Sequence, residues 1–201
     1  RLERPLALTK ADMLSHAPIS EKHLALGTIT VGEACQAAVE SSDNPAANLL
    51  LRSLGGPEAL TAWLRSIGDG ATRLDRTELE LNTAVPGDPR DTTTPRAMVA
   101  TMQRLLLGDG LPPASRELLL GWMKTAPSGV NRLRRALPAG WKAADKTGTG
   151  GKGSTNDVAV LWSPSGAPVL VAAYVTGTDA PLEVREAVLA DVGALIAGEL
   201  A

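Results

Sequence analysis

Trp141-Lys142-Ala143-Ala144-Asp145-Lys146, Val158-Ala159-Val160-Leu161-Trp162 and Val169-Leu170-Val171-Ala172-Ala173-Tyr174-Val175 are three apolar runs of strand length. Upstream of Pro138 the apolar spacing is helical, so the period changes at that point. Pro164-Ser165-Gly166 is a turn between the second and third runs. Strands that succeed one another through short connections form an antiparallel meander. A helical block, then three strands, then a closing helix is an α+β arrangement, with helices packed on the faces of an antiparallel sheet.

Working outward, Thr30-Val31-Gly32-Glu33 is a capping box, so a helix starts near Val31 and ends near Ser41-Ser42-Asp43. Asn44 is a good cap for a second helix with Pro45 in its first turn, stopping at Gly55-Gly56. A third opens at Pro57, with Leu60, Trp63, Leu64 and Ile67 on one face and Gly68 as its stop. Residues 69–94 show no sustained period. A loop of that length inside a domain is usually functional. It carries Arg73, Asp75, Arg76, Glu78, Glu80, Asp88, Arg90 and Asp91, so internal ion pairs could order it as an Ω-type loop. Pro95 opens a helix that Gly108 stops. Shorter helices follow near Arg116–Lys124 and Val130–Ala136. Pro181 opens the last helix, with Val184, Val188, Val192 and Ile196 on one face. Residues 1–26 read as loop with short elements. These elements group as a mostly helical lobe over 1–136, with the Ω loop at about 73–91, and three strands plus the terminal helix over 137–201.

The 201 residues are 44% hydrophobic and 2% aromatic with no Phe, so the core must be built from Ala, Leu, Val and Trp. A net charge of −2 without a basic patch argues against nucleic acid as a partner. The run Arg132, Arg134, Arg135 reads as a solvated helix face. No stretch reaches the roughly 18 apolar residues of a membrane span, and Arg1-Leu2-Glu3-Arg4 is not a signal peptide. The lone Cys35 reads first as a small buried hydrophobe, although an odd cysteine also raises a partner outside the chain. His16, His23 and one Cys do not make a zinc site, and no metal or organic cofactor is expected.

Three short motifs carry chemistry in a fixed order. Ser42-Asp43-Asn44 lies at a helix-to-helix junction, Glu78-Leu79-Glu80-Leu81-Asn82 in the long loop, and Lys146-Thr147-Gly148-Thr149-Gly150 at a strand end. Each alone reads as a polar turn, loop polarity or a glycine-rich turn. Together they match two of the three elements, S-D-N and K-T-G, of class A β-lactamases and penicillin-binding proteins. The longer runs Ser42–Leu51, Arg76–Asn82 and Asp88–Pro95 agree as well, and the sequence resembles class A serine β-lactamases over residues 1–201.

The resemblance implies hydrolysis of the amide of penicillin- and cephalosporin-type antibiotics through a serine acyl-enzyme. Such chemistry needs a nucleophile, a base, an oxyanion hole and a route to deacylation. Glu78 corresponds to the general base for deacylation, with Asn82 pinning a water beside it. Ser42 corresponds to the proton relay to the leaving nitrogen, and Lys146 to the cation supporting that relay and the substrate carboxylate. Asn44 and Thr147 correspond to substrate contacts, and Thr149 to a contact whose N–H is half of the oxyanion hole. Asn48 belongs to the frame near the site, and Arg76 with Asp91 to the ion pair at the neck of the loop. Arg132 matches an arginine that in some members reaches under the strand toward the substrate carboxylate; others place it where this chain has Thr155. It reads either as that group or as an exposed helix charge. His16 falls where the family has an aromatic gatekeeper and reads equally as a substrate contact or a loop histidine.

One element of the pattern is absent: no S-x-x-K occurs in the 201 residues. The resemblance places it, with a first helix and two strands, ahead of the region residue 1 matches, and gives Cys35 a disulfide partner there. Two explanations stand: an incomplete portion of a full enzyme that is cleaved, split or only partly determined, or a truncated inactive product. The retained Ser42, Glu78, Asn82, Lys146, Thr147 and Thr149 favour the first. The expectation is therefore an exported hydrolase, periplasmic or secreted, monomeric when complete. Its partners would be a β-lactam substrate and the N-terminal segment, with no membrane and no nucleic acid. The isolated chain is expected to be inactive. A penicillin-binding D,D-peptidase and an inactive truncated binding protein remain the alternatives.

Overall fold

The computed structural model describes residues 1–200, which divide into two compact units. The first comprises Arg1–Asn82 with Pro89–Thr92, the second Thr83–Asp88 with residues 93–200.

In the first unit, β1 (Pro5–Ala7) pairs antiparallel with β2 (Thr28–Thr30), Leu6 opposite Ile29. Between them lies α1 (Ser20–His23). This ribbon was not legible as strands, because three residues on each side show no alternation. It leads directly into α2 (Val31–Ser41), whose Thr30/Glu33 capping box is formed as expected. Next come α3 (Asn44–Leu54) and α4 (Pro57–Ser66). The cap of α3 is Asp43 rather than Asn44: its side chain accepts from Ala46 N at 3.0 Å. Gly55 ends α3 at φ 104°, a left-handed conformation that costs glycine little. The core of the unit joins Leu6, Leu8 and Ile29 to Ala34, Ala37, Ala46 and Leu49. Small residues on the facing sides of α2 and α3 let the two helices approach closely.

In the second unit, α5 (Pro95–Met102) continues into a π-helical turn, Gln103–Leu107, and α6 spans Pro113–Thr125. Three strands follow: β3 (Lys142–Thr149), β4 (Thr155–Trp162) and β5 (Pro168–Val175). They form an antiparallel meander in the order β3-β4-β5, with Asp145 opposite Ala159 and Thr147 opposite Asp157. α7 (Leu182–Glu199) packs against β4 and β5. Leu133, Ala159, Leu161 and Val171 centre the core on this face of the sheet.

Two expectations need correction here. No α-helix spans Val130–Ala136: a 3-10 helix runs over Pro127–Asn131, and tight turns follow. The arginine run is accordingly not a solvated helix face, since Arg132 is 4% exposed. On α7 the buried residues are Leu189, Ala190, Gly193 and Ala197. Val184 and Val188 are exposed, while Val192 and Ile196 do pack on the core. A side chain at Gly193 would collide with the Leu133 carbonyl, so the helix lies directly against that backbone.

Candidate active site

The two units contribute separate groups of candidate residues. In the first, Ser42 terminates α2 in a left-handed conformation (φ 53°, ψ 39°), an uncommon one for a residue with a Cβ. What holds it there is the next residue. Asp43 is fully buried and accepts four hydrogen bonds: from Ser20 Oγ (2.5 Å), Ser20 N (2.9 Å), Ile19 N (3.0 Å) and Ala46 N (3.0 Å). Burial alone would raise its pKa, but these donors outweigh it and hold the carboxyl below its ordinary value. The carboxylate thereby fixes the start of α3 and the residues on either side of it. Asn44 donates from Nδ2 to Ser15 O at 2.8 Å, and its backbone N–H to His16 O at 3.1 Å. His16 is exposed, stands at φ 58° and places Nε2 2.7 Å from Ser41 O. The turn carrying Ser42 and Asn44 is thus stitched to the 15–20 loop from both ends.

The long loop brings Glu78 and Asn82 together: Asn82 Nδ2 donates to Glu78 Oε2 at 2.5 Å. A 3-10 helix over Glu80–Asn82 sets that spacing, with Leu81 N bonded to Thr77 O and Asn82 N to Leu79 O. Asn48, from the middle of α3, grips the backbone of Glu78 on both sides. Its Oδ1 accepts from Glu78 N at 2.9 Å and its Nδ2 donates to Glu78 O at 3.0 Å. The peptide between Glu78 and Leu79 is cis. A half-buried carboxylate with a fixed backbone and an amide one turn away can orient a water for proton abstraction.

The base of the loop is closed by charge. Arg76 Nε lies 2.6 Å from Asp91 Oδ2, while Asp91 Oδ1 accepts from Asp75 N (2.7 Å) and Arg76 N (2.9 Å). Asp91 N returns a bond to Asp75 Oδ2 at 3.0 Å, and Arg73 N donates to Thr92 O at 3.0 Å. Arg73 also pairs with Asp75. That guanidinium and the Asp91 N–H hold Asp75 down to about 2. Asp91 is lowered too: burial pushes it up, and the donors from Asp75 and Arg76 more than reverse this.

In the second unit, Lys146, Thr147 and Thr149 lie on β3. Lys146 and Thr147 are half-buried and Thr149 is exposed. Thr147 Oγ1 donates to Ser128 Oγ at 2.8 Å; Ser128 carried no signal in the sequence. Arg132 passes under the strand end. Its Nη1 donates to Gly148 O (2.8 Å) and Asn156 O (2.7 Å), its Nη2 to Thr149 Oγ1 (2.6 Å), and its Nε lies 3.2 Å from Glu186 on α7. On β4, Thr155 Oγ1 accepts from Arg185 Nη1 at 2.8 Å. Sequence reading missed Ser20, Ser128 and Arg185, which act through tertiary contacts that no local pattern announces.

A family model described as the β-lactamase enzyme family matches residues 1–200. The chain belongs to the class A β-lactamase family. A β-lactamase from Mycobacterium tuberculosis strain H37Ra is 47% identical over 206 residues, covering all of this chain and 67% of that protein. The β-lactamase CTX-M-25 from Escherichia coli is 44% identical over 195 residues, covering 97% of this chain and 67% of its own length. Among solved structures, an ancestral class A β-lactamase (GNCA) superposes with a TM-score of 0.97 at 55% identity, covering 99% of this chain and 76% of the other. The chain therefore spans about two thirds of the length of these relatives. Within the class A β-lactamase family, this chain retains S-D-N, the Glu78…Asn82 pair and K-T-G, and contains no S-x-x-K.

Proposed function

We propose that this chain supplies the proton-relay and deacylating machinery of a serine β-lactamase, acting on penicillin- and cephalosporin-type amides. The nucleophilic serine would come from an S-x-x-K segment outside these 201 residues. The observation that carries the reading is the Glu78–Asn82 contact, with the Glu78 backbone clamped by Asn48. A protein that only acylates has no need of a base held for water.

In the proposed reaction the serine oxygen attacks the lactam carbonyl and the C–N bond breaks. Ser42 relays the proton lost by the attacking hydroxyl to the leaving nitrogen, and Lys146 supplies the positive charge that favours the relay. The Thr149 N–H stabilises the developing oxyanion. Asn44 and Thr147 contact the substrate. Arg132 supports the carboxylate-binding strand end, and His16 lines the approach. Glu78 then takes a proton from water, whose oxygen attacks the ester and releases the product, and the serine recovers its proton. No metal or organic cofactor enters the scheme. The proposal extends to an exported enzyme, periplasmic or secreted, monomeric when complete, with the 73–91 segment acting as its Ω loop.

The test is hydrolysis of a chromogenic cephalosporin by the chain with and without a separately supplied S-x-x-K segment. The isolated chain is expected to be no faster than its Glu78→Ala form, and the segment to restore turnover. In the reconstituted enzyme, Glu78→Ala should accumulate a covalent adduct detectable by mass spectrometry. Glu78-dependent turnover by the isolated chain would overturn the external nucleophile. Absence of any adduct in the reconstituted Glu78→Ala enzyme would overturn the deacylation role and favour an inactive binding protein. A long-lived adduct already present with Glu78 intact would favour a D,D-peptidase.

A further inference from the structure

Beneath β3 and β4 lies a group of charges that the hydrolytic scheme does not use. Asp145 and Asp157 are both fully buried. In the β3–β4 register Asp145 faces Ala159 and Asp157 faces Thr147, so the two carboxyls project from the same face of the sheet as diagonal neighbours. Such positions lie roughly 7 Å apart between α-carbons. Asp145 is paired with Arg134, whose Nε donates to Oδ1 at 2.5 Å. Its other oxygen fits against Gly129, where any side chain would overlap it. Asp157 accepts only the Leu133 N–H, on Oδ2 at 3.2 Å. Asp145 Oδ2 and Asp157 Oδ1 are buried with no hydrogen-bond partner.

The charge balance singles out one of the two. The positive groups facing the pair from the 132–134 turn are Arg132 and Arg134. Arg132 is matched by Glu186 from α7 and Arg134 by Asp145. From β3 Lys146 also acts on Asp145. From α7, Arg185 is engaged at Thr155, and Ala173 lies opposite Asp157 on β5. Asp157 has no ion-pair partner among the described residues, and the strand charge that acts on it is another carboxylate, Asp145. Two ionised carboxylates so placed would repel in surroundings that screen weakly.

We infer that Asp157 is a neutral carboxylic acid at neutral pH, its proton on Oδ1, and that Asp145 and Asp157 together carry a single negative charge. The proton turns an unsatisfied acceptor into a donor available to the carboxylate on the neighbouring strand. Burial, then the charge of Asp145, raise the Asp157 pKa to about 8. The consequence is positional. The pair fastens Leu133 and Arg134 from below, while Arg132 between them and the strands grips Gly148, Thr149 and Asn156. Asp157 is thus a positioning residue for the turn that holds the end of β3, and its proton is a condition of that fit.

The inference is independent of the catalytic reading and is tested without turnover. Carbon-13 NMR of the unmodified chain with labelled aspartate carboxyls should show one Asp still protonated at pH 7, ionising in the alkaline range and missing in Asp157→Asn. Every Asp ionised by pH 6 would overturn it. Asp157→Asn keeps an acceptor for Leu133 and replaces the O–H by an amide N–H. It should melt no lower than the parent at pH 8 and lose the fall in melting temperature that the parent shows from about pH 4 to pH 8. An unchanged fall in Asp157→Asn would also overturn it. Asp145→Asn should shift the remaining titration to lower pH. A titration that stays put there would leave burial as its sole cause and refute the shared charge.

Discussion

The Asp43 carboxylate accepts four hydrogen bonds, while the chemistry proposed for this turn falls to Ser42 and Asn44 on either side. Removing it strands donors from Ser20, Ile19 and Ala46 in a buried setting. Asp43→Ala should cost about 3–5 kcal/mol of stability, read from the denaturant midpoint, since each unsatisfied buried donor costs about 1–3 kcal/mol. Because its folded pKa is lowered, the stabilisation it gives is present above the unfolded value near 3.8 and is lost as pH falls below it. Arg132 is the corresponding residue of the second unit, with three oxygens of β3 and β4 and one carboxylate on its guanidinium. Arg132→Ala should cost about 3 kcal/mol or more, because it leaves Glu186 and two carbonyls without their cation. Arg132→Lys should recover only part, lacking the planar fork. Thermal melts of the three forms decide this.

Among the elements, the long loop is the one without a regular backbone ladder, and its order rests on charge. The Arg76–Asp91 contact is mostly buried, with side-chain exposures of 15% and 3%, and Asp91 also receives two backbone N–H groups. Arg76→Ala should therefore open the loop before it unfolds the unit. The expected signs are faster proteolytic nicking within 73–92 and a loss of about 2–3 kcal/mol in stability, the size expected for charge-assisted bonds of this kind. Asp75 and Asp91 both have lowered pKa values. The loop's stability is therefore retained above about pH 4 and lost as the pH drops toward 2, where Asp75 itself titrates. Amide exchange of residues 73–92 between pH 5 and pH 2.5 should show this before the helices respond. Unchanged protection at the lower pH would refute the charge-held loop.

Across the whole molecule, what could be read beforehand follows from how local each signal is. The ends of α2, α3 and α4 were legible because caps, Pro and Gly act within one turn. The meander was legible because β-rich runs separated by short turns leave little topological choice. The turn at 127–136 was misjudged because its conformation is imposed from a distance, by Asp145, Asp157 and the carbonyls that Arg132 reaches. The α7 face was half right: Val192 and Ile196 pack on the core, but the buried contacts fall to Leu189, Ala190, Gly193 and Ala197, whereas Val184 and Val188 lie in solvent. The candidate site shows the same division. S-D-N, Glu78…Asn82 and K-T-G could be seen as short strings, and the structure adds how Asn48 anchors Glu78. Ser20, Ser128 and Asp157 are single polar residues whose meaning exists only after folding. The same difference in reach governs the activity prediction. Glu78→Ala should leave the melting temperature nearly unchanged while trapping the acyl intermediate in the reconstituted enzyme, and a large fall in melting temperature would instead mark Glu78 as structural.

Gly193 has its α-carbon against the Leu133 carbonyl, with no space for a methyl group. A helix seated bone to bone on a peptide unit transmits displacement instead of absorbing it. Any tilt of α7 is therefore passed straight to the turn holding Arg132, with no compliant side chain between them. Gly193→Ala should loosen the far end of β3 through Arg132 and raise amide exchange at Gly148 and Thr149, the strand residues that Arg132 grips. A variant that melts lower yet leaves exchange at those two amides untouched would show that the helix and the turn are mechanically uncoupled.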